Sequence, residues 1–184
     1  MYFTRLGYKQ HMMKRNPYFI ILLLIATLFT ACKKSDLVQE NDFNKSFKTW
    51  LNFKSSSNNS YRYQTITVSW GGAKTETIIT VKNGKVIGRS YVEKRINRTT
   101  NAMVVYAQWE ESQENLNSHQ EGAKTLTLDE IYEKAKTDWL LKRKDAKSSF
   151  EAKNNGMISS CGYVENNCAD DCFIGISIDF IEKL

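Results

Sequence analysis

TETIITVKNGKVIGRSYVEKRI, running from Thr75 to Ile96, is the stretch on which the fold turns. Its two arms are rich in Thr, Ile, Val and Tyr, residue types that suit a pleated, half-buried surface. Between them stands Asn83-Gly84, the dipeptide that a two-residue hairpin turn favours because both central positions need positive φ. The segment therefore predicts a hairpin, with strands at 75–82 and 85–96. Before it, Tyr61 to Trp70 alternates and is broken by Gly71-Gly72. Ile66, Val68 and Trp70 fall on one face, and Tyr61, Tyr63, Thr65 and Thr67 on the other. After it, 97–101 is a loop. A fourth strand over 102–110 places Met103, Val105, Ala107 and Trp109 together.

Helical signals flank this run. Phe43, Phe47, Trp50 and Leu51 form one apolar stripe, which predicts a helix over about 36–53, followed by a polar loop over 54–60. Thr127-Leu-Asp-Glu130 is a capping box, in which Thr127 caps the third amide and Glu130 reaches back. Leu128, Ile131, Tyr132, Ala135 and Trp139 form the buried stripe of the helix that it opens. Lys142-Arg-Lys144 closes that helix, where cations complement the negative end. Contact with anionic lipid is the other reading of this basic cluster. Ser112 to Lys124 is polar and expected to be mobile.

The remaining segment reads as three short strands, 148–153, 157–164 and 173–182, with a turn at Asn154-Asn-Gly156. Ile174, Ile176, Ile178 and Phe180 alternate with polar or small residues, so one face is expected buried and the other wet. The order helix, four strands, helix, three strands predicts an α+β fold. Its antiparallel sheet would have six to seven strands, with two helices packed on one face.

The N-terminal segment reads differently. Lys14 and Arg15 precede the apolar run Pro17–Cys32, PYFIILLLIATLFTAC, which is shorter than the roughly 20 residues of a spanning helix. A charged region, a short apolar run and a small residue before the cut make a secretory signal. Phe29-Thr-Ala-Cys32 resembles the lipobox of bacterial lipoproteins, with Phe where Leu is usual. The resemblance implies cleavage between Ala31 and Cys32 and attachment of diacylglyceryl and acyl chains to Cys32, so that a membrane is a partner. The expected organisation is a signal peptide over 1–31, with Met13 as its true start, a tether over 32–35 and one domain over 36–184.

Removing that signal changes the charge argument. The chain carries 26 Lys and Arg against 20 Asp and Glu, net +6. Four of the basic residues and no acids precede Cys32, which leaves the mature chain near +2. A nucleic-acid partner gains little from this, because phosphate binding needs basic charge clustered on one face.

Cys161-Gly-Tyr-Val-Glu-Asn-Asn-Cys168-Ala-Asp-Asp-Cys172 is the most unusual segment. With Cys32 lipidated, three cysteines remain, so one bridge plus one free thiol, or an intermolecular bridge, is expected. Cys161–Cys172 would close the base of a hairpin and is the first pairing expected, with Cys161–Cys168 the alternative. Metal is a weaker reading. The cysteine spacing matches no zinc knuckle, and Asp170 and Asp171 stand in no EF-hand pattern, so no metal and no cofactor are expected. A reactive thiol would need a base nearby, and His119 is the only histidine after Cys32. The chain has no GxSxG, HExxH, Walker or GxGxxG motif.

Four short motifs, in order, resemble a family of uncharacterised bacterial lipoprotein domains of unknown function. They are Ser60-Tyr-Arg-Tyr-Gln64, Val81-Lys-Asn-Gly-Lys-Val86, Thr127-Leu-Asp-Glu-Ile-Tyr132 and Asn155-Gly-Met-Ile-Ser-Ser160. The resemblance covers about 43–184 and implies a small cell-envelope domain with no assigned activity. The function expected is a lipid-anchored envelope module that binds a protein or glycan and is not an enzyme, on the outer membrane rather than the inner. Tyr61, Tyr63, Tyr91 and Tyr106 are its candidate exposed aromatics. A thiol-based enzyme on the 161–172 loop and a pure scaffold are the alternatives.

Overall fold

At Asn83 (φ 50°) and Gly84 (φ 76°) the chain makes the positive-φ turn that the dipeptide predicts. Lys82 and Lys85 pair across it. The computed structural model describes residues 36–170 and 172–184. The expected signal peptide with its Met13 start, the cleavage site at Ala31 and Cys32, the 32–35 tether and Asp171 lie outside the described residues.

Helix α1 (Glu40–Ser56) leads into strands β1 (Tyr61–Val68), β2 (Lys74–Lys82), β3 (Lys85–Ile96) and β4 (Met103–Ser112). Helix α2 (Leu128–Lys134) ends in a π-helical turn (Ala135–Trp139) and is followed by β5 (Ala146–Glu151), β6 (Ser160–Glu165) and β7 (Ile174–Lys183). The seven strands form one antiparallel sheet in the order β4-β3-β2-β1-β7-β6-β5. Two meanders, β1–β4 and β5–β7, are thus joined where β1 meets β7. The α+β expectation is met, and strand boundaries agree to within a few residues.

Helix α1 starts later than its stripe suggests. Gln39 takes φ 54°, which stops the helix there, and its Oε1 accepts the Phe150 N–H at 2.8 Å instead. The capping box at α2 forms with both reciprocal bonds. Leu128, Ile131, Tyr132, Ala135 and Trp139 are all buried, as the stripe requires. The last turn widens so that Leu140 N–H bonds Ala135 O at 3.0 Å, five residues back. Arg143 then turns onto the freed Leu141 carbonyl at 3.2 Å and pairs with Asp138 at 2.7 Å, the helix-end role expected of the basic cluster, taken here by Arg143.

Both helices pack on the same sheet face. Phe43 meets Phe150, Trp50 meets Tyr61 edge-on at 5.1 Å, and Tyr132 lies among Phe43, Phe47 and Trp50. This aromatic layer buries Tyr61 and Tyr63, and stacking on Trp109 beneath the 112–124 segment buries Tyr91, so the expected exposure of three tyrosines is overturned. Tyr61 and Tyr63 are completely buried and Tyr91 nearly so. The face of β1 that points outward carries Val68, which is 62% exposed. Alternation fixes which residues share a face, not which face the helices cover. The tyrosines can be buried because their hydroxyls are bonded. Tyr61 accepts Leu128 N–H at 2.8 Å, the first amide of α2, and Tyr63 donates to Leu126 O at 2.5 Å.

Two further expectations fail at bulges. In β4 a register shift between Glu93 and Lys94 separates Trp109 and Ala107 from Met103 and Val105, so these four do not share a side. In β7 Gln64 faces Phe180 while Thr65 faces Ile178, which leaves Asp179 with no opposite residue. Side-chain alternation resets there, and Ile181 joins Ile178 in the core in place of Phe180.

Candidate functional site

Past the bulge at Asp179, β1 and β7 border a cavity. Successive residues of a strand turn their amides to opposite sides. At one end of β7, Leu184 N–H reaches Ser60 O on the β1 side; past the bulge, Ile178 N–H bonds Ser159 O on the β6 side at 2.7 Å. The β1–β7 ladder stops at Thr65↔Ile178. Beyond it, among the described residues, Ile66–Val68 pairs only with β2, and Ile174–Ser177 only with β6. Ser69 N–H turns back to Ala73 O at 2.9 Å, toward β2, so Ile66 and Val68 present their amides and carbonyls to the gap. By the same alternation from Ile178, Gly175 and Ser177 present theirs from the other wall.

The gap is a cavity of about 800 Å³. Its floor is threonine-rich, with Thr65, Thr67, Thr75 and Thr77, and its walls carry Tyr91, Trp139, Phe173 and Ile176. The described lining residues include two cations, Lys124 and Lys134, and no Asp, Glu, Asn or Gln. Lys134 Nζ lies 5.5 Å from the Trp139 ring centroid. Burial raises the Tyr91 hydroxyl above its ordinary range, so it stays a neutral donor to Glu93, which Arg95 engages.

One wall is the segment expected to be mobile, and the structure ties it down. Arg89 and Glu111, both buried, form a two-pronged pair at 2.9 and 2.8 Å. Glu111 also accepts the N–H groups of Asn117 and His119, both at 2.8 Å, while Arg89 donates to the carbonyls of His119 and Ala123. The Arg89 guanidinium, helped by those amides, holds the Glu111 carboxyl well below the usual carboxylate range. His119 stacks on Trp109 at 4.3 Å, and Ala123 N–H bonds Thr77 Oγ1 at 3.0 Å. Gly122 (φ 86°) lies so close to the sheet that a Cβ there would stand 3.1 Å from Tyr91 and 3.2 Å from Thr77.

The cysteines are arranged otherwise than expected. Cys168 and Cys172 form the bridge, with Cα atoms 6.0 Å apart. Among the described residues Cys161 is the free thiol. Neither Cys161–Cys172 nor Cys161–Cys168 forms, because Cys161 faces the core between Phe150 and Ile176 while the other two lie together in the loop that follows β6. Burial pushes the Cys161 thiol up to about 12, and three strands separate β6 from the β3 against which His119 is held. The loop with His119 does fold back, but onto Glu111. Among the described residues no group of three or more His, Cys, Asp or Glu could hold a metal ion, and no helix is long and apolar enough to cross a membrane.

Of the four candidate tyrosines, Tyr106 alone is exposed, and its ring carries the Arg95 guanidinium at 3.4 Å. Tyr91 lines the cavity from within. Sequence reasoning missed the gap itself, because a ladder that stops depends on a bulge that no residue type announces. Comparison of the chain with protein-family models, with curated proteins and with solved structures returned no match in any of the three.

Proposed function

We propose that this chain is a lipid-anchored module of the bacterial cell envelope that binds a partner and carries out no chemistry of its own. The observation that supports the binding half is the gap between β1 and β7 among the described residues, where the ladder between them stops and the walls are aromatic and hydroxyl side chains. Ligand sites are concave, largely apolar and furnished with a few polar groups, and this gap has that character. The anchoring half rests on Pro17–Cys32 and its likeness to a lipobox. Burial of Cys161 and the distance of His119 from it speak against the thiol enzyme, since a nucleophilic thiolate needs a lowered pKa and a base within reach.

Two measurements test the proposal. The intact mass of protein extracted from membranes should match acylated Cys32 to Leu184. A mass retaining residues 13–31 without acyl groups would overturn the anchor. Crosslinking on whole cells, with a photoreactive residue placed at Lys134, should yield one defined adduct. A protein recovered only as itself from that position would favour the scaffold reading.

A further inference from the structure

We infer that the gap between β1 and β7 takes an extended acidic polypeptide segment, which docks as an additional strand. This deepens the binding reading above by naming the partner's chemistry. Three observations carry it. First, both long walls are strand edges whose hydrogen-bonding groups point at one another across space. Ile66 and Val68 face the gap from β1, and Gly175 and Ser177 from β7. Backbone amides and carbonyls are obligatory hydrogen-bonding groups, and an unpaired edge is a template for another strand. The repeat of these groups along each wall matches a polypeptide in extended form.

Second, β1 and β7 run antiparallel, so an inserted strand lies antiparallel to one wall and parallel to the other. It pairs fully with the first, and the second adds slanted bonds. Alternate side chains of the guest would then fall toward Thr65, Thr77 and Trp139 on the helix side. Third, the charged residues of the described lining are Lys124 and Lys134, both exposed, while Glu93 and Glu121 act on the cavity only from beside Tyr91, so carboxylates on the guest are favoured at the lysine side. A glycan fits less well. Sugar hydroxyls are usually read by planar carboxylate and amide side chains, and the described lining has none.

The test uses the full-length protein in detergent micelles. A pool of end-blocked random heptapeptides is passed over it, and the retained peptides are sequenced. Amide exchange at Ile66, Val68, Gly175 and Ser177 is followed with the best binder. Retained peptides should be enriched in Asp and Glu and should slow exchange at Ile66 and Val68 at least tenfold. N-methylating every second amide of the best binder should weaken it at least tenfold. The charge reversal Lys124→Glu with Lys134→Glu, two exposed sites whose change leaves the core intact, should weaken it by a similar factor. Val68→Pro removes one edge donor and none of the β2 ladder, and should also weaken it. The inference is overturned if no peptide is retained, if binders protect other amides, or if N-methylation makes no difference. It is equally overturned if N-acetylglucosamine tetrasaccharide, and no peptide, protects these residues. Peptide capture does not need acylation, so Cys32→Ser should keep it. Failure of the anchor and failure of this inference are therefore read separately.

Discussion

The two ends of strand β1 behave differently although both are rich in β-branched and aromatic residues. From Tyr61 to Thr65 the strand is paired on both sides, and its tyrosines are sealed under α1 and α2. From Ile66 to Val68 it is paired on one side only and borders a cavity. The difference coincides with the bulge in β7, where Asp179 has no opposite residue on β1 and beyond which Gly175 and Ser177 turn their amides toward the β1 side without a β1 partner. Two neighbouring strands thus part just past a single bulge, where β1 itself changes from Tyr-Arg-Tyr-Gln-Thr to Ile-Thr-Val.

The sharpest way to break the comparison is in the closed half. Trp50→Ala removes the indole that packs on Tyr61 and donates to Asp129 at 2.9 Å. It should cost about 3–5 kcal/mol in denaturant unfolding. Next comes the 112–124 segment, a strap that walls the cavity and is tied to Thr77. Arg89→Ala leaves the Glu111 carboxylate buried without its partner and should cost about 3 kcal/mol. Exchange at the Ala123 amide should rise in that variant at a denaturant concentration where Val81 stays protected. A wild-type amide at Ala123 that exchanges as fast as in the variant would contradict the strap.

The same pair gives a pH dependence. Glu111 is depressed in the folded state, so its contribution is fully present above the unfolded carboxylate value, about 4.3, and is lost as pH falls toward the folded value. Stability measured from pH 5 to pH 2 should therefore fall less steeply in Arg89→Ala than in the wild type. A smaller effect is expected at Tyr61→Phe. It deprives the Leu128 N–H of its acceptor and should cost about 1–3 kcal/mol by thermal unfolding. The smallest belongs to the open half, where Val68→Thr on a largely exposed side chain should change stability by no more than about 0.5 kcal/mol. A large loss there would mean that the gap is packed rather than open.

What was legible in the sequence follows the same division. Asn83-Gly84 and the Thr127–Glu130 box announce themselves because local sterics and local hydrogen bonds decide them. The α+β order followed from period alone. The burial of Tyr61 and Tyr63 was not legible, because their hydroxyls find partners 63 and 67 residues away in the chain. Nor was the strap at 112–124. Its polar composition reads as solvated loop until Glu111 is seen to take up amides from its own following turn. The bridge between Cys168 and Cys172 is not legible because hairpin spacing alone does not show that the strand position of Cys161 points it inward. The cavity had no local signature, since its walls come from β1, β7, the strap and the end of α2.

The strand order has a kinetic consequence. Each meander joins neighbours that are close in sequence, so each can form with little loop entropy to overcome. The seam between them is another matter, since Arg62 and Glu182, which pair across it, are 120 residues apart. Closing that seam carries the larger loop-entropy cost, and the slow step of folding should be the search of β1 for β7. Until that step both half-sheets carry a long bare edge, and the stretch of it that never closes is the one bordering the cavity.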